Sequence, residues 1–240
     1  ECMLMTPPIN ALVARLQERS TETTQLSIRY GLNTGEWLIQ PRMAGAPMPT
    51  GQTHYRERLL DRTFRVASPS FFQVNTAQAE RLAGLIRERL SPSGGLTVVD
   101  AYAGVGTFAA LLAPHVRRVV AIEESAAAVK DAAVNALGLD NVEFLEGKTE
   151  DVLGGIDRRP DVLILDPPRV GCHPGAIAAT TGLGSPTVLY VSCEPEAAAR
   201  DLALLVKGGY VLEHLQPVDM FPQTHHVECL ATLRRMASDG

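Results

Sequence analysis

The apolar positions of this chain change period along its length. Ile9, Leu12, Val13 and Leu16 recur at three- and four-residue steps behind Pro7-Pro8, which predicts an amphipathic helix over residues 9–19. From Gln25 to Gln40 the period falls to two. Leu26, Ile28 and Tyr30 alternate on one side, Trp37 and Ile39 on the other, and Asn33-Thr34-Gly35 supplies the turn of a β-hairpin. Pro41 to Gly51 is rich in proline and glycine and reads as a loop. Helical spacing returns over 76–90, with Ala79, Leu82, Ala83, Ile86 and Leu90 on one face.

Beyond that helix, short apolar runs alternate with helical segments: Thr97–Val99, Val119–Ile122, Val142–Leu145, Val162–Leu165 and Val188–Val191. Strands apolar on both faces, separated by helices, predict an α/β fold with a mostly parallel sheet covered on both sides. Tyr210–Leu215 and Val227–Leu233 follow each other with no helix between them, so the sheet is expected to close with an antiparallel last strand. Residues 1–65 read as a small α+β appendage, the remnant of another domain, and 66–240 as the sheet domain. The chain begins at Glu1-Cys2 rather than methionine and is expected to be a piece of a longer protein.

Composition narrows this picture little. A hydrophobic fraction of 45% is ordinary for a globular protein. A net charge of −5 gives no global field to draw in a polyanion. A local basic face remains open, the best candidate being Arg56, Arg58, Arg62 and Arg65, which also reads as a plain solvated face. No apolar run approaches the roughly 20 residues that span a bilayer, and no signal peptide is visible, so no membrane contact is expected. Cys2, Cys172, Cys193 and Cys229 form no C-x-x-C pair, and a reduced, cytoplasmic, monomeric protein is the default expectation.

Two groups of residues carry candidate chemistry. Asp100-Ala-Tyr102-Ala-Gly104-Val-Gly106 follows the first apolar strand and opens a helix, whose free amides and glycine turn suit a close-approaching ligand. A structural strand-to-helix turn is the plain alternative. The third glycine of a dinucleotide fingerprint is replaced by Ala109, and Glu123 stands at the tip of the next strand, where a carboxylate can hold paired ribose hydroxyls. That combination fits S-adenosyl-L-methionine better than NAD. Glu124 competes for the position but is expected to begin the following helix.

The second group lies further on. Asp166-Pro-Pro-Arg169 ends the fourth strand of the sheet, and the prolines hold Asp166 over its carboxyl edge. Cys193 ends the next strand, just before a helix opened by Pro195, where dipole and free amides are expected to favour a thiolate. Glu228 begins the last strand, and a buried acid there needs a partner or a role. A thiol nucleophile and a carboxylate base at one sheet edge imply covalent attack on an electron-poor ring such as a nucleobase. His225 and His226 have no further His or Cys at ligand spacing, so no metal is expected.

Phe71-Phe-Gln73-Val-Asn75, the glycine turn, Asp166-Pro-Pro-Arg169, Ser192-Cys193, Asp219-Met-Phe-Pro222 and His226-Val-Glu228 together resemble the RNA (uracil-5-)-methyltransferases, over about residues 66–235. The resemblance implies a Rossmann-like class I methyltransferase sheet, S-adenosyl-L-methionine as methyl donor and a uridine of tRNA or rRNA as substrate. It implies that Cys193 attacks carbon 6 of the uracil, that Glu228 removes the carbon 5 proton, and that Asp166 bonds the polar edge of the base. Gln73, the segment Asp100–Gly106 with Tyr102 and Gly104, and Glu123 would hold the donor, with Asp166 bordering it. The target base would have to leave its stack to be reached.

The chain departs from the family pattern in two places. Glu194 stands where the family usually has asparagine, and its charge is expected to raise the Cys193 thiol. The N-terminal RNA-binding barrel and the four-cysteine iron–sulfur set of some members have no counterpart in these residues, Cys2 being a single cysteine of such a set. An amino-group methyltransferase built on Asp-Pro-Pro, needing no cysteine, and a non-catalytic RNA-binding module with a relic fold are the competing readings.

Overall fold

The structure, a computed structural model, describes residues 2–17, 23–90 and 94–236. It opens with α1 (Pro7–Leu16) and the hairpin β1 (Ser27–Tyr30) and β2 (Trp37–Gln40), followed by a second hairpin, β3 (His54–Leu59) and β4 (Arg62–Ala67). Next come α2 (Thr76–Leu90), β5 (Thr97–Ala101), α3 (Thr107–Leu112), β6 (Arg118–Glu123), α4 (Ala126–Asn135), β7 (Val142–Glu146) and α5 (Thr149–Val152). The chain finishes with β8 (Val162–Leu165), α6 (Pro174–Leu183), β9 (Thr187–Ser192), α7 (Pro195–Lys207), β10 (Tyr210–Val218) and β11 (Glu228–Arg235). Residues 18 and 19 of the first predicted helix lie outside the described residues.

β5 to β11 form one seven-stranded sheet in the order β10-β11-β9-β8-β5-β6-β7, in which β11 alone runs antiparallel to its neighbours. This is the mostly parallel α/β sheet with an antiparallel last strand that the alternation of runs predicted, and the Rossmann-like sheet that the resemblance implied. Successive residues of a strand point to opposite faces. Val98, Ile164, Leu189 and Val191 therefore enter one core with Leu82, Ile86 and Phe108. Val99, Leu163, Leu165 and Tyr190 enter the other with Ile177, Leu202 and Leu205. β5, β8 and β9 are buried at every position. β7 is the exception to the fully apolar expectation: it is one of the two edge strands, and Glu143 and Glu146 are exposed on it.

The β3–β4 hairpin was not anticipated. Its first strand alternates strictly between exposed His54, Arg56 and Arg58 and buried Tyr55, Glu57 and Leu59. The buried acid in that series hides the apolar period. Glu57 is satisfied by four donors: the amides of Leu32 (2.7 Å), Asn33 (3.0 Å) and Arg58 (2.8 Å), and the Thr76 hydroxyl (2.9 Å). It thereby ties the β1–β2 turn to the start of α2. Position 65/66 falls inside β4, and Tyr55, Leu59, Phe64 and Val66 share the sheet domain's core. The arginine cluster is largely committed to internal partners. Arg56 pairs with Glu36 (2.7 Å), Arg62 donates to the Asn135 carbonyl (2.9 Å), and Arg65 pairs with the buried Asp131 (2.8 Å).

Candidate active site

Parallel strands present their carboxyl ends at one edge of the sheet, and an antiparallel strand presents its amino end there. Tyr102 after β5, Glu123 at the end of β6, Asp166 after β8, Cys193 after β9 and Glu228 at the start of β11 therefore meet on one side. All of them line a single cavity of about 1070 Å³, together with Gln73 and Gly104. Gln73 arrives from the segment ahead of α2, whose entry is held by Asn75: its side chain donates to the Met220 carbonyl (3.0 Å) and accepts from the Gln78 amide (3.3 Å).

The glycine-turn half of the cavity is built around Glu123. Its Oε2 accepts from the Gly104 amide (2.8 Å) and its Oε1 from the Ser125 amide (2.8 Å), so both oxygens are oriented with lone pairs to spare. Gly104 has φ +56°, and a Cβ built there meets nothing within 4 Å: an open cradle. Tyr102 also has a positive φ, and its hydroxyl is buried. Glu124 stands ahead of α4, which begins at Ala126 with Ser125 as its cap, so it is exposed rather than part of the helix.

Two of the expected donor-binding residues do not reach the cavity. Asp100 is fully buried and turned away, its Oδ2 accepting from the Ala109 amide (2.9 Å) in the first turn of α3. Burial pushes its carboxyl up to about 7. Gly106 caps α3 at φ +78°, and a Cβ there would lie 3.1 Å from the Ala132 Cβ of α4. The first shapes the turn and the second lets two helices close; neither lines the cavity.

At the other end of the cavity, the antiparallel register pairs Cys229 with Ser192, which carries Glu228 and Cys193 to the same place. Glu228 is 3% exposed, and burial pushes its carboxyl up to about 7 against the pull of the Arg169 charge. Burial, then the charges of Glu228 and Asp100, raise Asp166 well above the usual carboxylate range.

Cys193 stands just ahead of the start of α7. Its thiol is raised, first by burial, then by the Glu228 charge, with Arg169 opposing and Asp166 adding to the rise. The local structure explains this. Pro195 removes one free amide from the helix start, and the Glu194 amide is taken by the Ser192 hydroxyl (3.1 Å). The charges that raise the thiol belong to Glu228 and Asp166, not to Glu194.

Arg169 is the functional candidate that sequence reasoning passed over, although it completes the Asp-Pro-Pro-Arg motif. It lines the cavity and opposes the rise of both Cys193 and Glu228. Among the described residues no group of three or more His, Cys, Asp or Glu is placed to hold a metal, and no helix is long and apolar enough to cross a membrane.

This sheet order, with an acid-and-glycine cradle at one end of its carboxyl edge and a thiol between two acids at the other, defines a Rossmann-like domain of the methyltransferase type. The chain belongs to the tRNA (uracil-5-)-methyltransferase family, whose sequence model matches residues 57–236. It is 42% identical over 187 residues to an uncharacterized RNA methyltransferase of Clostridium tetani, covering 77% of this chain and 41% of the relative. A second relative, an uncharacterized RNA methyltransferase of Thermosynechococcus vestitus, is 37% identical over 288 residues, covering 97% of this chain and 64% of its own length. The chain thus spans 41% and 64% of these two curated relatives. Among solved structures, the tRNA (uracil-54, C5)-methyltransferase of Pyrococcus abyssi in complex with S-adenosyl-L-homocysteine superimposes with a TM-score of 0.74 at 29% identity, covering 87% of this chain and 59% of that one.

Proposed function

We propose that this chain carries the catalytic site of an S-adenosyl-L-methionine-dependent enzyme that methylates carbon 5 of a uridine in tRNA or rRNA through a covalent Cys193 adduct. The observation that carries the reading is the convergence of Cys193, Asp166 and Glu228, from three strand ends, on the cavity that also holds Gly104 and Glu123. Carbon 5 of uracil is a poor nucleophile until something adds at carbon 6, and a thiol with a nearby base is the minimum equipment for that route. An amino-group methyltransferase needs no such thiol.

The residues present fit the methyl donor. The open Gly104 cradle admits a close-approaching ligand, the Glu123 carboxylate has lone pairs for hydroxyl donors, and Gln73 and Tyr102 border the same space. When bound, S-adenosyl-L-methionine supplies the methyl group as an electrophile. The rest falls to the chain. Cys193, its proton first given up to solvent, adds its sulfur to carbon 6 as the thiolate, and the electron pair of the 5,6 double bond becomes available at carbon 5. Asp166, whose carboxyl is raised by burial, then by the Glu228 and Asp100 charges, hydrogen-bonds the polar edge of the ring. After carbon 5 has been methylated, Glu228 takes its proton. The released pair re-forms the double bond and expels the Cys193 thiolate. A carboxyl poised near 7 is well matched to that proton transfer at neutral pH.

The test is incubation of the protein with S-adenosyl-L-methionine and RNA hairpins carrying 5-fluorouridine. Glu228 cannot remove fluorine, so a protein–RNA adduct that survives denaturation accumulates with the native chain and is absent from Cys193→Ala. Uridine methylation retained by Cys193→Ala would overturn the mechanism in favour of direct transfer.

A further inference from the structure

The helix that follows Cys193 carries an acid in its core-facing stripe. Asp201 is fully buried on α7 among Ala197, Ala198, Leu202 and Leu205, where helical periodicity calls for an apolar residue. A buried carboxylate is costly unless its lone pairs are satisfied. Asp201 meets that demand by gripping the loop that follows β8. Its Oδ2 accepts from the Cys172 amide (2.6 Å) and from the Tyr190 hydroxyl (2.7 Å). Its Oδ1 accepts from Arg200 Nε (2.9 Å) and pairs with Arg200 Nη2 (2.8 Å).

Arg200 passes the grip on, donating to the Val170 carbonyl (2.8 Å). Gly171 turns back on Pro168 (amide to carbonyl, 2.8 Å) at φ +83°, and a Cβ there would collide with both Arg200 and Asp201. The loop is thus stiffened by Pro167-Pro168 on one side of Arg169 and clamped to α7 on the other. Arg169 is the charged residue between them, and it projects into the cavity that holds Cys193 and Glu228.

We propose that Asp201 is a positioning residue, which through Arg200 and the 167–172 loop holds Arg169 in place beside Cys193 and Glu228. It rests on the reading of Cys193 as the nucleophile and adds a residue that borders the same cavity but acts on the thiol through Arg169. The groups facing the thiol are Glu228 from β11 and Asp166 and Arg169 from the segment after β8; those facing Asp201 are Cys172, Tyr190 and Arg200. Arg169 is the cation among the charges acting on Cys193, so any slack in the loop weakens the one charge that favours the thiolate.

The test reads the pH dependence of Cys193 alkylation by iodoacetamide in the whole chain, without RNA or methyl donor. Peptide-resolved mass spectrometry leaves Cys2, Cys172 and Cys229 in place. Asp201→Asn and Arg169→Gln should each move the midpoint upward by about half a pH unit, a roughly threefold loss of thiolate below the midpoint. The double variant should move it no further than Arg169→Gln alone, because both changes remove the same interaction. A folded Asp201→Asn with an unmoved midpoint, or shifts that add, overturns the proposal. Should Asp201→Asn fail to fold, Arg200→Gln loosens the same loop from the solvent side and is held to the same two outcomes. Because the readout is thiol titration alone, a chain that methylates nothing still passes or fails it.

Discussion

Glu228 and Cys193 leave the sheet as neighbours, because β11 runs antiparallel to β9 with Cys229 opposite Ser192. Two groups that each carry a negative charge when ionised then share one poorly hydrated corner, and each ionisation opposes the other. The Glu228 charge accordingly stands second only to burial among the causes that raise the Cys193 thiol. Burial and the Glu228 charge therefore both favour the neutral form of the thiol.

Glu228→Gln removes that opposing charge while keeping the shape of the side chain. Iodoacetamide labelling of Cys193 in the native chain should climb only above the ordinary thiol range. In Glu228→Gln the labelling midpoint should fall by about half a pH unit or more. An unchanged midpoint would show that the two groups do not share a field.

The same substitution should stabilise the fold at alkaline pH. The folded state raises Glu228 from its ordinary value of 4.5 to about 7, so it favours the protonated form. That contribution is complete below about pH 4.5 and is lost as pH rises through 7. At pH 8 the ionised, buried carboxylate costs the native state on the order of 3 kcal/mol, at about 1.4 kcal/mol per unit. Thermal melting should therefore place Glu228→Gln above the native chain at pH 8 by several degrees, with the gap closing by pH 5. A gap independent of pH would assign the effect to packing instead.

Cys193, Asp166 and Glu228 were legible as candidates because each stands at the end of an apolar run, and strand ends in such a sheet share one edge. Orientation was not legible. Asp100 ends a strand as well, yet the alternation of β5 turns its carboxylate to the Ala109 amide rather than to the cavity. The β3–β4 hairpin stayed hidden because Glu57, a buried acid, occupies an inward position that a pattern reader scores as polar. Asp201 was hidden for the same reason: an acid on an amphipathic helix reads as surface until its three donor residues are seen around it. The rise of the Cys193 thiol was not legible either, because a helix start offers free amides only where proline and a neighbouring hydroxyl have not removed them.

Gly104 and Gly106 should respond differently to the same change. Both have positive φ, which costs an alanine about 1 kcal/mol or slightly more. At Gly106 the new methyl also meets Ala132 at 3.1 Å and Phe144 at 3.4 Å, and overpacking of this kind adds a further ~1–3 kcal/mol. At Gly104 nothing lies within 4 Å, so the methyl projects into the cradle itself. Gly106→Ala should therefore lower the melting temperature by roughly two to three times as much as Gly104→Ala. Gly104→Ala should show the larger loss of S-adenosyl-L-methionine affinity relative to its change in melting temperature, read by calorimetry. The reverse order would place the ligand-facing glycine at 106.

Glu123 and Glu124 provide the most selective check on the donor half of the cavity. Both border it, but only Glu123 is fixed, by the amides of Gly104 and Ser125. A fixed carboxylate loses little further freedom when it accepts ligand hydroxyls, and hydrogen bonds to a charged group are worth about 1.5–3 kcal/mol each. Glu123→Ala should weaken S-adenosyl-L-methionine binding by at least about tenfold in calorimetry. Glu124→Ala, which frees no hydrogen-bonded partner, should stay within about threefold of the native affinity. Equal losses at the two positions would mean that the cavity attracts its ligand by negative charge alone, and that the Glu123–Gly104 bond does no more than close the turn.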